Sequence, residues 1–131
     1  MTAAPKRRRA QPEAALQRQV AAYLDSVLPD DAIWWHTPNG GARAKRTAAL
    51  LNRAGVKPGV WDCVVVWRNP WGSRVLGIEL KVGRGEISPA QRDWHSIASD
   101  AGVWTRVCRS LPDVEDALKR LGVPLRGRIS A

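Results

Sequence analysis

Phenylalanine is absent from this 131-residue chain, and seven tryptophans carry most of its aromatic content. Five of them, Trp34, Trp61, Trp67, Trp94 and Trp104, fall in segments expected to be core. Cysteine is scarce as well. Cys63 and Cys108 form no C-x-x-C pair and belong to no Cys/His cluster of zinc spacing, so neither reads as a chemical group. His36 and His95 stand isolated in sequence and read as structural or substrate-facing. No apolar run approaches the ~18 residues of a membrane span and no secretory pattern is visible, so a reducing cytoplasmic setting without a membrane is expected. Internal repeats are lacking too, and the length suits one domain with a real core.

Acids are in the minority, 12 Asp and Glu against 21 Lys and Arg, a formal charge of +9. That excess points to a polyanionic partner. It is also localised: from His36 to Gly59 the chain holds Arg43, Lys45, Arg46, Arg53 and Lys57 without one acid. A stripe of this kind screens and positions phosphates.

Against this background three charged residues stand out inside segments built for burial. Gly59 to Trp67 and Val75 to Val82 are apolar, β-branched and bounded by Pro and Gly, which predicts two strands. The turn Arg68-Asn69-Pro70-Trp71-Gly72-Ser73 joins them as an antiparallel hairpin. Alternation puts Glu79 and Lys81 on one face, with Ile78, Leu80 and Val82 on the other. With Trp67 opposite Arg74, Asp62 faces Glu79 at a Cβ separation of roughly 4.5 to 5.5 Å. Two like charges so placed destabilise the hairpin unless a cation lies between them, and a hard divalent ion on oxygen ligands is the simplest one. Lys81, one pleat along, can reach an attacking water or a substrate phosphate. A charged pair on a solvent-exposed edge strand shares the short E-x-K pattern, so two readings stand at this point.

The remaining segments complete an α/β order. Residues 1–11, with Lys6-Arg7-Arg8-Arg9, read as a disordered basic arm. Pro12 opens a helix in which Leu16, Val20, Tyr23, Leu24, Val27 and Leu28 form a buried stripe, with Glu13 near its edge. An acid in a first helical turn also suits the macrodipole without further task. Ala32 to His36 is a short strand. Asn39, Gly40, Gly41 and Arg43 then form either a phosphate cradle at the start of a helix running to Ala54, or a plain connecting turn. After the link Val82 to Ile87, which carries Arg84, a capping box is expected from Ser88 and Gln91, with Pro89 at the first helical position. That helix runs to Gly102. A strand at Val103 to Val107 and a helix at Pro112 to Leu121 follow, and residues 123–131 read as a loose basic tail.

Taken together, Gly59-Val60-Trp61-Asp62, Glu79-Leu80-Lys81 and Gln91, preceded by a helical Glu13, resemble the PD-(D/E)xK nuclease superfamily. More narrowly they are similar to its VRR-NUC (virus-type replication-repair nuclease) domain. One departure is visible, since Trp61 rather than Pro precedes Asp62; G-x-x-D is the form this subfamily shows. The resemblance implies a restriction-endonuclease-like fold, a mixed central sheet flanked by helices in the order α-β-α-β-β-α-β-α, over residues 12–122. It implies a DNA endonuclease using Mg²⁺ or Mn²⁺. Asp62 and Glu79, the Leu80 backbone carbonyl and Glu13 would serve as metal ligands, Lys81 would orient or activate water, and Gln91 would position Lys81 or that water. Asn39, Gly40, Gly41 and Arg43, with Lys45, Arg46, Lys57 and Arg84, would contact DNA. Small stand-alone members imply branched DNA such as Holliday junctions as substrate and a homodimer as the working form. Trp71, exposed at a hairpin tip, suits stacking on bases or packing on a partner subunit. A non-catalytic DNA-binding module and a sequence-preferring restriction-type endonuclease are the alternatives.

Overall fold

The computed structural model describes residues 7–38 and 45–126, with side chains over 12–38 and 49–126. In order, the elements are α1 (Arg7–Val27), β1 (Ile33–His36), α2 (Lys45–Arg53), β2 (Cys63–Asn69), β3 (Gly72–Leu80), α3 (Pro89–Asp100), β4 (Trp104–Cys108) and α4 (Leu111–Arg120). This is the expected succession. The strands form one sheet in the order β1-β2-β3-β4. β1, β2 and β3 pair antiparallel, whereas β4 runs parallel to β3 because α3 crosses over between them.

Alternation along the strands separates two cores. Cys63, Val65 and Trp67 of β2 and Leu76, Ile78 and Leu80 of β3 pack under the α1 stripe (Leu16, Val20, Tyr23, Leu24, Val27) and α4 (Val114, Ala117, Leu118). The opposite face carries Val64, Val66 and Val75, covered by Trp61 and by Trp94 and Ala98 of α3. The result is a mixed sheet between helical layers, in keeping with a restriction-endonuclease-like fold. Among the described residues no helix is long and apolar enough to cross a membrane. Both cysteines are buried and free, and burial pushes their thiols up, Cys63 to about 11 and Cys108 to about 12. They are unreactive packing groups.

Several boundaries differ from the sequence expectation. α1 begins at Arg7 and runs through Pro12, so helix extends into the basic segment; Arg, Ala and Gln are good helix formers, and the proline costs one backbone bond near the helix start. The hairpin loop is shorter than the expected six residues, since pairing continues to Asn69 and Gly72 and leaves Pro70 and Trp71 alone at the tip. Asn69 makes this possible by accepting the Trp71 N–H on its side chain at 2.8 Å. Trp71 is 82% exposed, as expected, but Trp104 is 47% exposed rather than core. It lies on an edge strand, with the Arg106 guanidinium 5.6 Å from its ring.

The segment after α4 is not loose over its described part. Gly122, at φ +77°, ends α4 in a Schellman motif in which the Gly122 and Val123 N–H groups donate to Lys119 and Leu118. That turn drops Val123 into the core, and Arg126 donates its backbone N–H to Val27 at 2.7 Å and its guanidinium to Asp30 at 3.1 Å.

Two glycines set how closely layers approach. A Cβ on Gly77 would fall 2.0 Å from the Trp61 indole, so its absence lets that ring lie against β3. At Gly59, φ is +79° and a Cβ would come 2.3 Å from the Ala90 carbonyl oxygen. The loop leading to Asp62 is therefore seated on the first turn of α3. Gly59→Ala is expected to cost at least about 2 kcal/mol, from left-handed strain plus displacement of that turn, and thermal unfolding of the purified variant measures it.

Candidate metal centre

The predicted register holds: Trp67 pairs with Arg74 and the ladder runs on to Cys63 opposite Ile78. One further step sets Asp62 across from Glu79. The Lys81 N–H points away toward β4, donating to Cys108 at 3.0 Å, so odd-numbered residues here have their backbone groups on the β4 side. Asp62 and Glu79 thus occupy a non-hydrogen-bonded position, where opposed side chains come closest. At the strand end Asp62 turns one carboxylate oxygen onto the Leu80 N–H at 2.7 Å. The Leu80 carbonyl leaves the strand on the same side as its N–H, beside Asp62 and beyond the last pair of the ladder.

β3 lies between two strands, which removes the exposed edge-strand reading, and Glu79 is 2% exposed. Its charge is costly there. Burial first, then the hydrogen bond and charge of Asp62, push its carboxyl up to about 9, with Glu13 adding slightly and Lys81 opposing. Glu79 is therefore expected to hold its proton at neutral pH.

Helix α3 supports Glu79 from above. Gln91 completes the predicted capping box, giving its backbone N–H to the Ser88 hydroxyl at 3.1 Å and accepting the Ser88 N–H at 2.8 Å. The same side chain donates Nε2–H to Glu79 Oε2 at 3.0 Å. Capping and contact with the acid are one arrangement, because the cap orients the amide toward β3. One turn on, His95 is buried, stacked on Trp61 with a ring separation of 6.4 Å, and has Nε2 at 3.9 Å from Glu79 Oε1. Burial, then the Lys81 cation, hold the His95 ring below the usual histidine range. From the other side, β1 pins the Asp62 backbone: its carbonyl accepts the Thr37 N–H at 2.8 Å and the His36 ring at 2.7 Å. A carbonyl only accepts, so His36 carries its proton on Nδ1.

Asp62, Glu79 and Gln91 are thus brought together, with Lys81 near enough to act on Glu79. Glu13 is exposed rather than turned inward, and reaches the site through its field alone. Lys57 and Arg84 are exposed. Asn39, Gly40, Gly41 and Arg43, and the side chains of Lys45 and Arg46, lie outside the described residues. His95 and His36 were not expected at this centre; the four-residue step from Gln91 to His95, which sets both on one helix face, was the available signal for the first.

Among the described residues no three His, Cys, Asp or Glu side chains converge as a cage. The oxygens present still fit a hard divalent ion. Glu79 Oε1 is buried without a hydrogen-bond partner, Asp62 lies opposite it, and the Leu80 carbonyl is at hand. One or two carboxylates suffice for Mg²⁺ when substrate phosphate and water complete its shell.

Fold and site define a restriction-endonuclease-like α/β domain with a paired-acid centre at one end of its sheet. The chain is similar to a solved structure described as a VRR_NUC domain protein, with a TM-score of 0.57 and 19% identity over 86% of this chain and 85% of the other. At that identity the likeness concerns the fold. No family model and no curated protein matches the chain.

Proposed function

We propose that this chain is a divalent-metal-dependent DNA endonuclease, with Asp62, Glu79 and the Leu80 carbonyl holding Mg²⁺ or Mn²⁺. The observation that carries the reading is the buried Glu79 facing Asp62 at the end of β2 and β3, with Lys81 on the same strand face. Such an ion supplies Lewis acidity at phosphoryl oxygens and a lowered pKa for water. The chain's own groups do the rest. Lys81 orients the attacking water or balances charge on the phosphate, Gln91 fixes Glu79, and basic residues such as Lys57 and Arg84, exposed in the structure, align the backbone, a role also proposed for Arg43, Lys45 and Arg46. Glu13, on the solvent side, suits a contact through water.

Branched DNA, such as a four-way junction, is the proposed substrate, following the resemblance to small stand-alone VRR-NUC domains; a two-fold pair would select shape rather than sequence. In support of a homodimer, Ile33 and Trp35 on edge strand β1, and separately Trp71 at the hairpin tip, are exposed large apolar residues.

Cleavage of duplex, nicked, flap and four-way-junction DNA in Mg²⁺ and Mn²⁺, with Asp62→Ala as control, tests this. Junction cutting that Asp62→Ala abolishes while DNA binding survives is the expected result. Cutting that tracks sequence would replace shape selection by a restriction-type activity, and binding without cutting, unchanged in Asp62→Ala, would leave a DNA-binding module.

A further inference from the structure

We infer that His95 is a positioning residue for Glu79, so that α3 grips both oxygens of this one carboxylate, Gln91 on Oε2 and His95 on Oε1. This deepens the metal-dependent reading and rests on it.

The geometry begins on α3. Gln91 and His95 are four residues apart, hence on the same helix face, and both point at β3. Gln91 Nε2 already donates to Glu79 Oε2 at 3.0 Å. His95 Nε2 and Glu79 Oε1 are both buried, both without a hydrogen-bond partner, and 3.9 Å apart. The gap exceeds a hydrogen bond by about 1 Å. Two unpartnered buried polar atoms facing each other at that distance gain by closing it. When Glu79 is a carboxylate, Oε1 offers two lone pairs, so it can accept an Nε2–H from the neutral imidazole on one and still face the ion with the other.

The ring is also held for this task. It stacks on Trp61, with an interplanar angle of 17°, and Trp61 lies against Gly77, two residues before Glu79 on the same strand face. Gly59 seats the Asp62 loop on Ala90, beside Gln91. Asp62, Glu79, Gln91 and His95 therefore belong to one packed unit. A donor on a metal-binding carboxylate fixes its orientation and raises metal affinity, and its loss typically weakens binding by 10- to 100-fold.

The test uses the full chain without DNA, titrated with Mn²⁺ by calorimetry, alongside thermal unfolding and cleavage against Mn²⁺ concentration. His95→Phe keeps a ring for Trp61 but has no donor; His95→Leu is smaller and equally donorless; His95→Gln restores an N–H. The expected result is a roughly tenfold weaker Mn²⁺ affinity in the Phe and Leu variants, a matching shift in the Mn²⁺ needed for half-maximal cleavage, and recovery to within about threefold in Gln. Wild-type affinity in either folded donorless variant overturns the clamp and leaves the nuclease reading intact. Equal losses in Phe, Leu and Gln also overturn it, since packing alone would then account for the effect. A wild-type protein that binds no Mn²⁺ removes the metal centre and the clamp with it.

Discussion

Glu79→Gln is expected to lower cleavage by about 10³-fold or more without loss of the fold. An ion held at the proposed centre would supply several kcal/mol of charge stabilisation in phosphoryl transfer, and each 1.36 kcal/mol is tenfold in rate. Glutamine has nearly the same shape and keeps an oxygen to accept from Gln91, but it has no charge with which to hold a cation opposite Asp62. The variant also removes a buried acid that is expensive to ionise, so its melting temperature without metal should equal or exceed that of wild type at pH 8. Cleavage of junction DNA in Mn²⁺, with circular dichroism on the same preparation, checks both statements. Residual activity within tenfold of wild type would exclude Glu79 as a ligand.

Stability of the metal-free protein should fall as pH rises from 7 to 9. Glu79 ionises near 4.5 in the unfolded chain and near 9 when folded. Between those values the folded state holds a proton that the unfolded state releases, so the contribution is full below 4.5 and is lost as pH climbs toward 9. Other shifted groups act elsewhere. His95, lowered by burial, favours the folded state as pH rises, but only up to its ordinary value of 6.5. Cys63, Cys108 and Tyr23, with ordinary values of 9.0, 9.0 and 10.0, are raised to about 11, 12 and 12, so their loss lies mostly above pH 9. The pH 7 to 9 window therefore belongs to Glu79. Melting temperatures in a chelator across that window should decline for wild type and stay nearly level for Glu79→Gln. Mn²⁺ should reverse the trend, because the ion competes with the proton and binds better as pH rises. A flat wild-type profile would show that Glu79 is not protonated in the fold.

The element order and the register of the acid pair were legible in the residues, because both rest on short-range rules. Alternation in Val64 to Trp67 and Val75 to Leu80 sets the faces, the α1 stripe sets a helix, and a single hairpin pairing of Trp67 with Arg74 carries Asp62 to Glu79. The Ser88–Gln91 cap is local in the same sense. Boundaries were less legible where tertiary contacts override local preference: Val123 is drawn into the core past a helix stop, and Trp104 is left on an edge strand.

The burial of Glu79 is a different matter. It follows from β4 docking parallel to β3 through the α3 crossover, a pairing between segments that no nearby pattern specifies, and it converts a surface-like E-x-K into a carboxyl raised to about 9. The place of His95 likewise depends on how α3 lies over the sheet, which Gly59 and Gly77 permit by removing Cβ atoms at two close approaches. Periodicity and turn chemistry act over a few residues and are written along the chain. The electrostatics of the centre depend on which distant surfaces exclude water from it, and only the packed structure decides that.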